Sequence, residues 1–116
     1  VVGDDYLVTD ATRVERAARE QACNALLVKP NQAGTITETR AAFDAARRAG
    51  FGTIVSARSG DTEDVTIAHL AIGWGAGQLK VGSFSRSERM AKWNEVLRIE
   101  EALGDAAVFA GRDVLP

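Results

Sequence analysis

The fold class follows from the stretch Asn24-Ala25-Leu26-Leu27-Val28-Lys29, in which four consecutive apolar residues are followed by a lysine and then by Pro30. An apolar run of this length without alternation is typical of a strand that is covered on both faces, as in a parallel sheet. Helical patterns lie on both sides of it, over residues 12–22 and 35–49. A strand between two such helices predicts βαβ units with right-handed crossovers.

The same alternation extends to both ends of the sequence. We predict further strands and helices, the strands at residues 1–4, 52–56 and 78–82 and the helices at residues 62–74 and 85–103. Two α/β architectures accommodate this order: an open doubly wound sheet, or half of a (β/α)8 barrel with about four βα units. An isolated half-barrel would leave two strand edges unpaired. Because the sequence opens inside a strand, Val1-Val2-Gly3-Asp4, we favour a part of a barrel.

Three Ser/Thr-x-x-Glu patterns predict where helices begin, since the hydroxyl and the carboxylate of such a box bond the first free amides of a helix. They start at Thr12, Thr35 and Ser85. In the last helix, Met90, Trp93 and Leu97 recur at helical spacing and predict its buried face.

The composition is that of an ordinary globular protein, with 46% hydrophobic and 26% charged residues among 116 and a formal charge of −2. That charge argues against a dedicated nucleic-acid binder, which would carry a basic stripe. The single cysteine, Cys23, excludes an internal disulfide framework and fits a reducing compartment, so we expect a cytoplasmic location. No apolar run approaches the roughly 18 residues of a membrane span, and no membrane partner is expected.

Charged side chains follow the predicted strands at the points where functional groups gather in parallel α/β folds. They are Asp4 and Asp5, Lys29, Arg58 with Ser59, and Lys80. The chain holds three lysines against eleven arginines, and two of the three lysines lie at these strand ends. A lysine can lose its proton and act as a general base, whereas an arginine cannot. This placement indicates chemistry at the strand ends.

Several segments keep a spacing that points to one family: Val2-Gly3-Asp4-Asp5 with Val8-Thr9, residues 24–29, Asn31-Gln32 with Gly34-Thr35, residues 58–64, Gly77-Gln78-Leu79-Lys80, Ser85-Arg86-Ser87-Glu88-Arg89 and Leu97-Arg98-Ile99-Glu100-Glu101. Together they resemble the C-terminal part of the enolases over nearly the whole chain. The resemblance implies an α/β fold, the C-terminal part of an enolase-type (β/α)8 barrel. It also implies a Mg²⁺-dependent lyase of glycolysis that converts 2-phosphoglycerate to phosphoenolpyruvate.

The resemblance implies roles for five residues that together bind the substrate. Asp4 is similar to one of three carboxylates that hold the site Mg²⁺, and Lys29 to the base that takes the proton beside the substrate carboxylate. Arg58 and Ser59 are similar to the phosphate-binding pair, and Lys80 to the cation beside the carboxylate and its enolate. A lysine base with Mg²⁺ is the established pattern of enolase-type sites.

One departure lies inside the expected site, where Ala57 stands in place of the family's histidine. The loss of an imidazole removes a polar contact near the phosphate end and opens space, which favours a divergent paralogue. A relative such as carboxyphosphonoenolpyruvate synthase of phosphonate antibiotic biosynthesis is therefore an alternative. A non-catalytic scaffold is another, although such a protein has no reason to retain both Lys29 and Asp4.

Each candidate also has a simpler interpretation. Asp4 and Asp5 fit a turn, Lys29 and Lys80 fit solvated strand ends, and residues 58–62 fit a polar turn before a helix. His69 and Cys23 suit helix packing better than ligation. The joint spacing, and not any single residue, supports the site.

Residues 1–116 are expected to form one C-terminal segment of the barrel domain and to be inactive alone. Two more metal carboxylates, the general acid and an N-terminal capping domain are expected upstream. The expected partners are a phosphorylated small-molecule substrate and a second copy of the chain, in a homodimer or a larger homo-oligomer.

Overall fold

Four parallel strands form the centre of the computed structural model, which describes residues 1–115. In chain order they are β1 (Val2–Gly3), β2 (Ala25–Val28), β3 (Gly52–Ser56) and β4 (Gly77–Lys80). Each pairs with the next strand in parallel, so the order in the sheet is β1-β2-β3-β4. The predicted parallel sheet is confirmed, and the sequential strand order is that of a barrel segment.

Helices connect the strands: α1 (Ala11–Glu20), α2 (Pro30–Ala33), α3 (Ile36–Arg48), α4 (Thr66–Gly73) and α5 (Ser87–Leu103), with two 3-10 turns, Gly104–Ala106 and Gly111–Val114. Helix α1 packs on α3, α3 contacts β2 and β3, and α4 packs on α5. Within the described range, no helix combines the length and the apolar character that crossing a membrane requires.

The core lies between the sheet and the helices. All four residues of β2 are buried, and Leu26 and Val28 have no exposed surface. Helix α3 covers them with Ala42 and Phe43, where the small alanine allows a close approach between helix and sheet. The apolar run that predicted a doubly covered strand is therefore buried as expected.

The predicted helix starts have different outcomes. Thr35 is the N-cap of α3: its hydroxyl accepts the amide of Glu38 at 3.1 Å and donates to the Glu38 carboxylate at 2.9 Å. The prediction for Thr12 is wrong, because Asp10 caps α1 by accepting the amide of Arg13 at 2.8 Å. Because Asp10 is the N-cap, the helix starts at Ala11 and Thr12 already lies within its first turn.

The prediction at Ser85 is also wrong, because α5 begins after Arg86, which has a left-handed φ of 74° and makes no side-chain cap. Helix α4 begins at Thr66 instead of residue 62. Side chains of residues 61, 62 and 64 accept nearby amides and hold this stretch in turns. Between β2 and α3 lies α2, a single turn with proline at its first position.

The buried face of α5 differs from the predicted stripe. Leu97 is 61% exposed, and Lys92 is the buried residue of this helix. Trp93 is partly buried, and its indole N–H donates to the Ser83 carbonyl at 3.0 Å. A hydrophobic pattern predicts which apolar residues are buried, but it does not predict that a lysine is buried because its ammonium has hydrogen-bond acceptors inside the fold.

Replacement of the two competing cap residues distinguishes their roles. In the complete gene product we expect Asp10→Ala to lower the free energy of unfolding by about 1 kcal/mol, because the Arg13 amide loses its acceptor. Thr12→Ala, the matched control on the exposed first turn, should change it by less than about 0.5 kcal/mol. Urea-induced unfolding measures both, and a larger loss for Thr12→Ala would contradict the assignment.

Candidate active site

The charged residues that follow the strands lie at one edge of the sheet. Asp4 directly follows β1 and Lys29 directly follows β2, while Lys80 is the last residue of β4. Arg58 lies two residues beyond β3, whose last residue pairs with Lys80. Parallel pairing brings the carboxyl ends of all four strands to this edge, where barrel enzymes hold their active sites.

Asp4 and Lys29 are in direct contact. The Lys29 ammonium lies 2.8 Å from each carboxylate oxygen of Asp4, although the two residues are 25 positions apart. The lysine side chain is 12% exposed and the aspartate 35%, so the pair sits at the rim of the core. Because low exposure strengthens such a pair, Lys29 is held by its counterion in this structure.

Two polar side chains without an assigned role support this pair. The Thr9 hydroxyl accepts the backbone amide of Lys29 at 2.9 Å and donates to the Gln32 side-chain oxygen at 2.7 Å. The Gln32 amide group in turn donates to Asp4 at 3.4 Å. Thr9 is 1% exposed. Both residues fall in the segments that resemble the enolases, which was the one signal available in the sequence.

The loop between Asp4 and Thr9 has an unusual backbone. Val8 and Thr9 have φ values of 45° and 53°, a left-handed conformation that β-branched residues rarely adopt. The Asp4 carbonyl accepts the amides of Leu7 and Val8 at 3.0 and 2.8 Å, which closes the turn. Gly3 allows it, since a Cβ there would come within 2.3 Å of Leu7. Strain of this kind at a buried loop is typical of functional sites.

The other three candidates are exposed strand-end residues. Arg58, Ser59 and Lys80 are exposed, and their side chains make no hydrogen bond or ion pair with any residue between 1 and 115. The backbone carbonyl of Lys80 accepts the amide of Ala57 at 2.9 Å, which extends the pairing of β3 with β4. The structure therefore brings Asp4 and Lys29 together and leaves two cations and a hydroxyl free at the same edge. An arginine fork suits phosphate oxygens.

The residues fit magnesium in kind but not in number. Asp4 offers carboxylate oxygen, the ligand type that Mg²⁺ prefers. Residues 1–115 contain no cluster of three potential ligands from histidine, cysteine, aspartate and glutamate. Asp4 could thus supply one ligand of a shared site, and any cation bound to it would compete with Lys29 for the same oxygens.

Other candidate groups have structural partners elsewhere. His69 on α4 contacts Glu95 on α5 at 2.9 Å, on the exposed side of the helices. Burial raises the pKa of the Cys23 thiol, which is typical of an inert packing cysteine. Trp74 packs at an angle against Phe43, with ring centroids 5.4 Å apart. The packing roles predicted for His69 and Cys23 agree with these observations.

Substitution of Thr9 by valine removes the hydroxyl and keeps the size of the side chain, so it tests the hydrogen bonds of Thr9 alone. We expect Thr9→Val to lower the free energy of unfolding by about 1–3 kcal/mol, because the buried Lys29 amide and Gln32 oxygen lose their partner. Thr9→Ser keeps the hydroxyl and is the matched control. Amide exchange at Lys29 should accelerate in the valine variant alone. Equal exchange in both variants would show that the hydroxyl does not hold Lys29.

Comparison with known proteins assigns the family. The family model described as "Enolase, C-terminal TIM barrel domain" matches residues 1–116. A protein named Enolase 2 from Hevea brasiliensis is 56% identical over 111 residues, which cover 96% of this chain. The chain spans 25% of the length of that relative. The chain therefore belongs to the enolase family, and it corresponds to part of the family's C-terminal barrel domain.

Proposed function

We propose that the complete gene product carrying this chain is a Mg²⁺-dependent lyase that converts 2-phosphoglycerate to phosphoenolpyruvate. The proposal rests on the Lys29–Asp4 contact, which lies at the edge of the sheet where the side chains of Arg58 and Lys80 are exposed and have no partner among residues 1–115. Family membership supports the reaction class. In this proposal residues 1–116 are one segment of a barrel domain and do not turn over substrate alone.

Lys29 is the base in this reaction. Its amine takes the proton from carbon 2 of the substrate, and the electron pair left on that carbon is delocalised into the carboxylate. Hydroxide then leaves carbon 3 with a proton from an acid that we do not assign within this chain. Lys29 must first be neutral and released from Asp4, since an ammonium that donates to both oxygens has no free electron pair.

The other residues of the site stabilise negative charge. Lys80 faces the substrate carboxylate, on which negative charge develops when the proton leaves carbon 2. Arg58 and Ser59 bind the phosphate through the planar fork and the hydroxyl. Asp4 contributes one magnesium ligand together with residues from elsewhere in the protein. When bound, Mg²⁺ supplies positive charge beside the carboxylate and so raises the acidity of carbon 2.

Ala57 supports a second candidate function. It lies between β3 and Arg58, is 9% exposed, and brings no polar group to the phosphate end. A site with the same base and cations but a methyl group here could accept a different phosphorus group. The alternative activity is that of a paralogue such as carboxyphosphonoenolpyruvate synthase. A binding protein without turnover is a further alternative, which the retention of Lys29, Lys80, Arg58 and Asp4 together disfavours.

The proposal also covers the location, the oligomeric state and the partners of the enzyme. We expect a cytoplasmic protein that forms a homodimer or a larger homo-oligomer and binds neither nucleic acid nor membranes. The formal charge of −2 supports the exclusion of nucleic acid.

Lys29→Ala in the complete gene product tests the base. We expect turnover of 2-phosphoglycerate to fall by about 10²–10⁴-fold, the usual contribution of a general base. Arg16→Ala is the matched control, because it also removes a cation from a 2.7 Å ion pair, with Glu20 on exposed α1. Unchanged turnover in Lys29→Ala, measured as phosphoenolpyruvate formed, would overturn the assignment.

Phosphonoformate distinguishes the two enzymes. We expect the wild-type protein to convert 2-phosphoglycerate with Mg²⁺ alone, and added phosphonoformate to enter no product. Phosphorus NMR of the reaction mixture measures both. A new phosphorus-containing product that requires phosphonoformate, with slow turnover in its absence, would contradict the first function and favour the paralogue.

A further inference from the structure

The third lysine of the chain is buried. Lys92, on α5, is 1% exposed and is the largest side chain among the fully buried residues. Lys29 and Lys80 lie at the strand ends, whereas Lys92 lies among neighbouring helices and loops. A buried ammonium is costly unless hydrogen bonds and counter-charge satisfy it, so its surroundings indicate what it does.

The Lys92 ammonium contacts three groups, two hydrogen-bond acceptors and one counterion. It donates to the carbonyl of Thr62 at 2.5 Å and to the carbonyl of Glu88, one turn earlier on α5, at 3.0 Å. The Asp61 carboxylate lies 3.7 Å away and supplies opposite charge. An ammonium has three protons and no acceptor capacity, so all of its bonding goes to these groups. Two of the three belong to adjacent residues of one loop.

That loop is the one that carries the proposed phosphate-binding residues. We name residues 57–62 the Arg58 loop. Arg58, Ser59 and Gly60 are exposed, and Gly60 has a left-handed φ of 77°, so the tip of the loop has few contacts. The Asp61 amide donates to the Arg58 carbonyl at 3.2 Å. The Asp61 carboxylate also accepts the Thr62 amide at 3.0 Å.

A continuous set of bonds therefore runs from Lys92 to Arg58. Lys92 holds Thr62 and faces Asp61, and Asp61 closes the turn back to Arg58. At the other end, the loop is anchored by the bond between Ala57 and Lys80. Lys92 thus fixes the C-terminal end of the loop to α5, and without it only the turn bonds of residues 61–66 hold that end.

The neighbouring carboxylate responds to the same charge. The pKa of Asp64 lies below its ordinary value, first because the Thr66 side chain and amide donate to it, and in part because Lys92 is nearby. Lys92 thus also favours the charged form of a residue that holds the start of α4.

We infer that Lys92 is a positioning residue: it fixes the Arg58 loop from the side of α5, so that Arg58 and Ser59 are held ready for the phosphate group of the substrate. It does not itself touch the substrate. The phosphate role of the loop rests on the function proposed above, while the anchoring rests on the contacts alone.

Three variants of the complete gene product test this inference. Lys92→Met keeps the length of the side chain and removes its charge and donors, whereas Lys92→Arg retains both. Arg98→Met is the matched control, because it removes a cation from the same helix at a 66% exposed position that pairs with Glu95. If Lys92→Met does not fold, Lys92→Gln takes its place under the same criteria.

Two measurements distinguish a role in positioning the loop from a general effect on stability. Amide hydrogen exchange of residues 57–64 should accelerate on the order of tenfold in Lys92→Met, because the loop opens locally. The KM for 2-phosphoglycerate should rise on the order of tenfold while kcat changes less, because the loss falls on phosphate binding. Lys92→Arg should recover most of both effects, and Arg98→Met should match wild type.

The outcomes separate the two proposals. Unchanged exchange in the loop, with only a lower melting temperature, would overturn the anchoring. Faster exchange with an unchanged KM would overturn the positioning role. If the wild-type protein does not turn over 2-phosphoglycerate, the proposed function fails, and the affinity for inorganic phosphate is measured in place of KM. A lower phosphate affinity in Lys92→Met alone supports the positioning role. Equal phosphate affinities in all variants overturn it.

Discussion

The parallel pairing of four short strands determines where every charged group of this chain's candidate site lies. Each crossover returns the backbone to the same end of the sheet, so residues that are 25 positions apart become neighbours at its carboxyl edge. Asp4 and Lys29 meet only because β1 and β2 are adjacent and in register. The buried apolar run of β2 favours that register, since a shift would bring the polar neighbours Asn24 or Lys29 into the buried positions.

The Lys29–Asp4 contact shows how one arrangement can serve both stability and chemistry. A partly buried ammonium needs a counterion, and Asp4 supplies two oxygens at 2.8 Å. The same carboxylate is suited to a divalent cation, so Asp4 is both the counterion of the proposed base and the proposed metal ligand. Thr9 and Gln32 keep both in place. Lys92 has a comparable role on the Arg58 loop, where the cation stabilises backbone instead of reacting.

β2 was predictable because a continuous apolar run of four residues is too short for a buried helix and fits a strand covered on both faces, whereas β1 and β4 have no such run and followed from the alternation of strands with helices. Thr35 was predictable because its box has no competing cap, whereas Thr12 failed since Asp10, two residues upstream, provides a better acceptor. Lys92 could not be recognised, because its acceptor on Thr62 and its counterion Asp61 come near it only when the loop folds over α5. The strand-end positions of Lys29 and Lys80 followed from topology, but the contacts of Lys29 with Asp4 and Thr9 join residues 20 or more positions apart and arise only in the folded chain. The roles of these residues stay predictions.

A crystal structure of the complete gene product with Mg²⁺ and 2-phosphoglycerate would show directly which groups surround the substrate. We expect substrate at the carboxyl edge of the sheet, with the Lys29 amine beside carbon 2, Asp4 on the metal, and Arg58 and Ser59 on the phosphate. Substrate bound away from this edge, or a Lys29 amine that stays on Asp4 out of reach of carbon 2, would contradict the roles proposed for these residues.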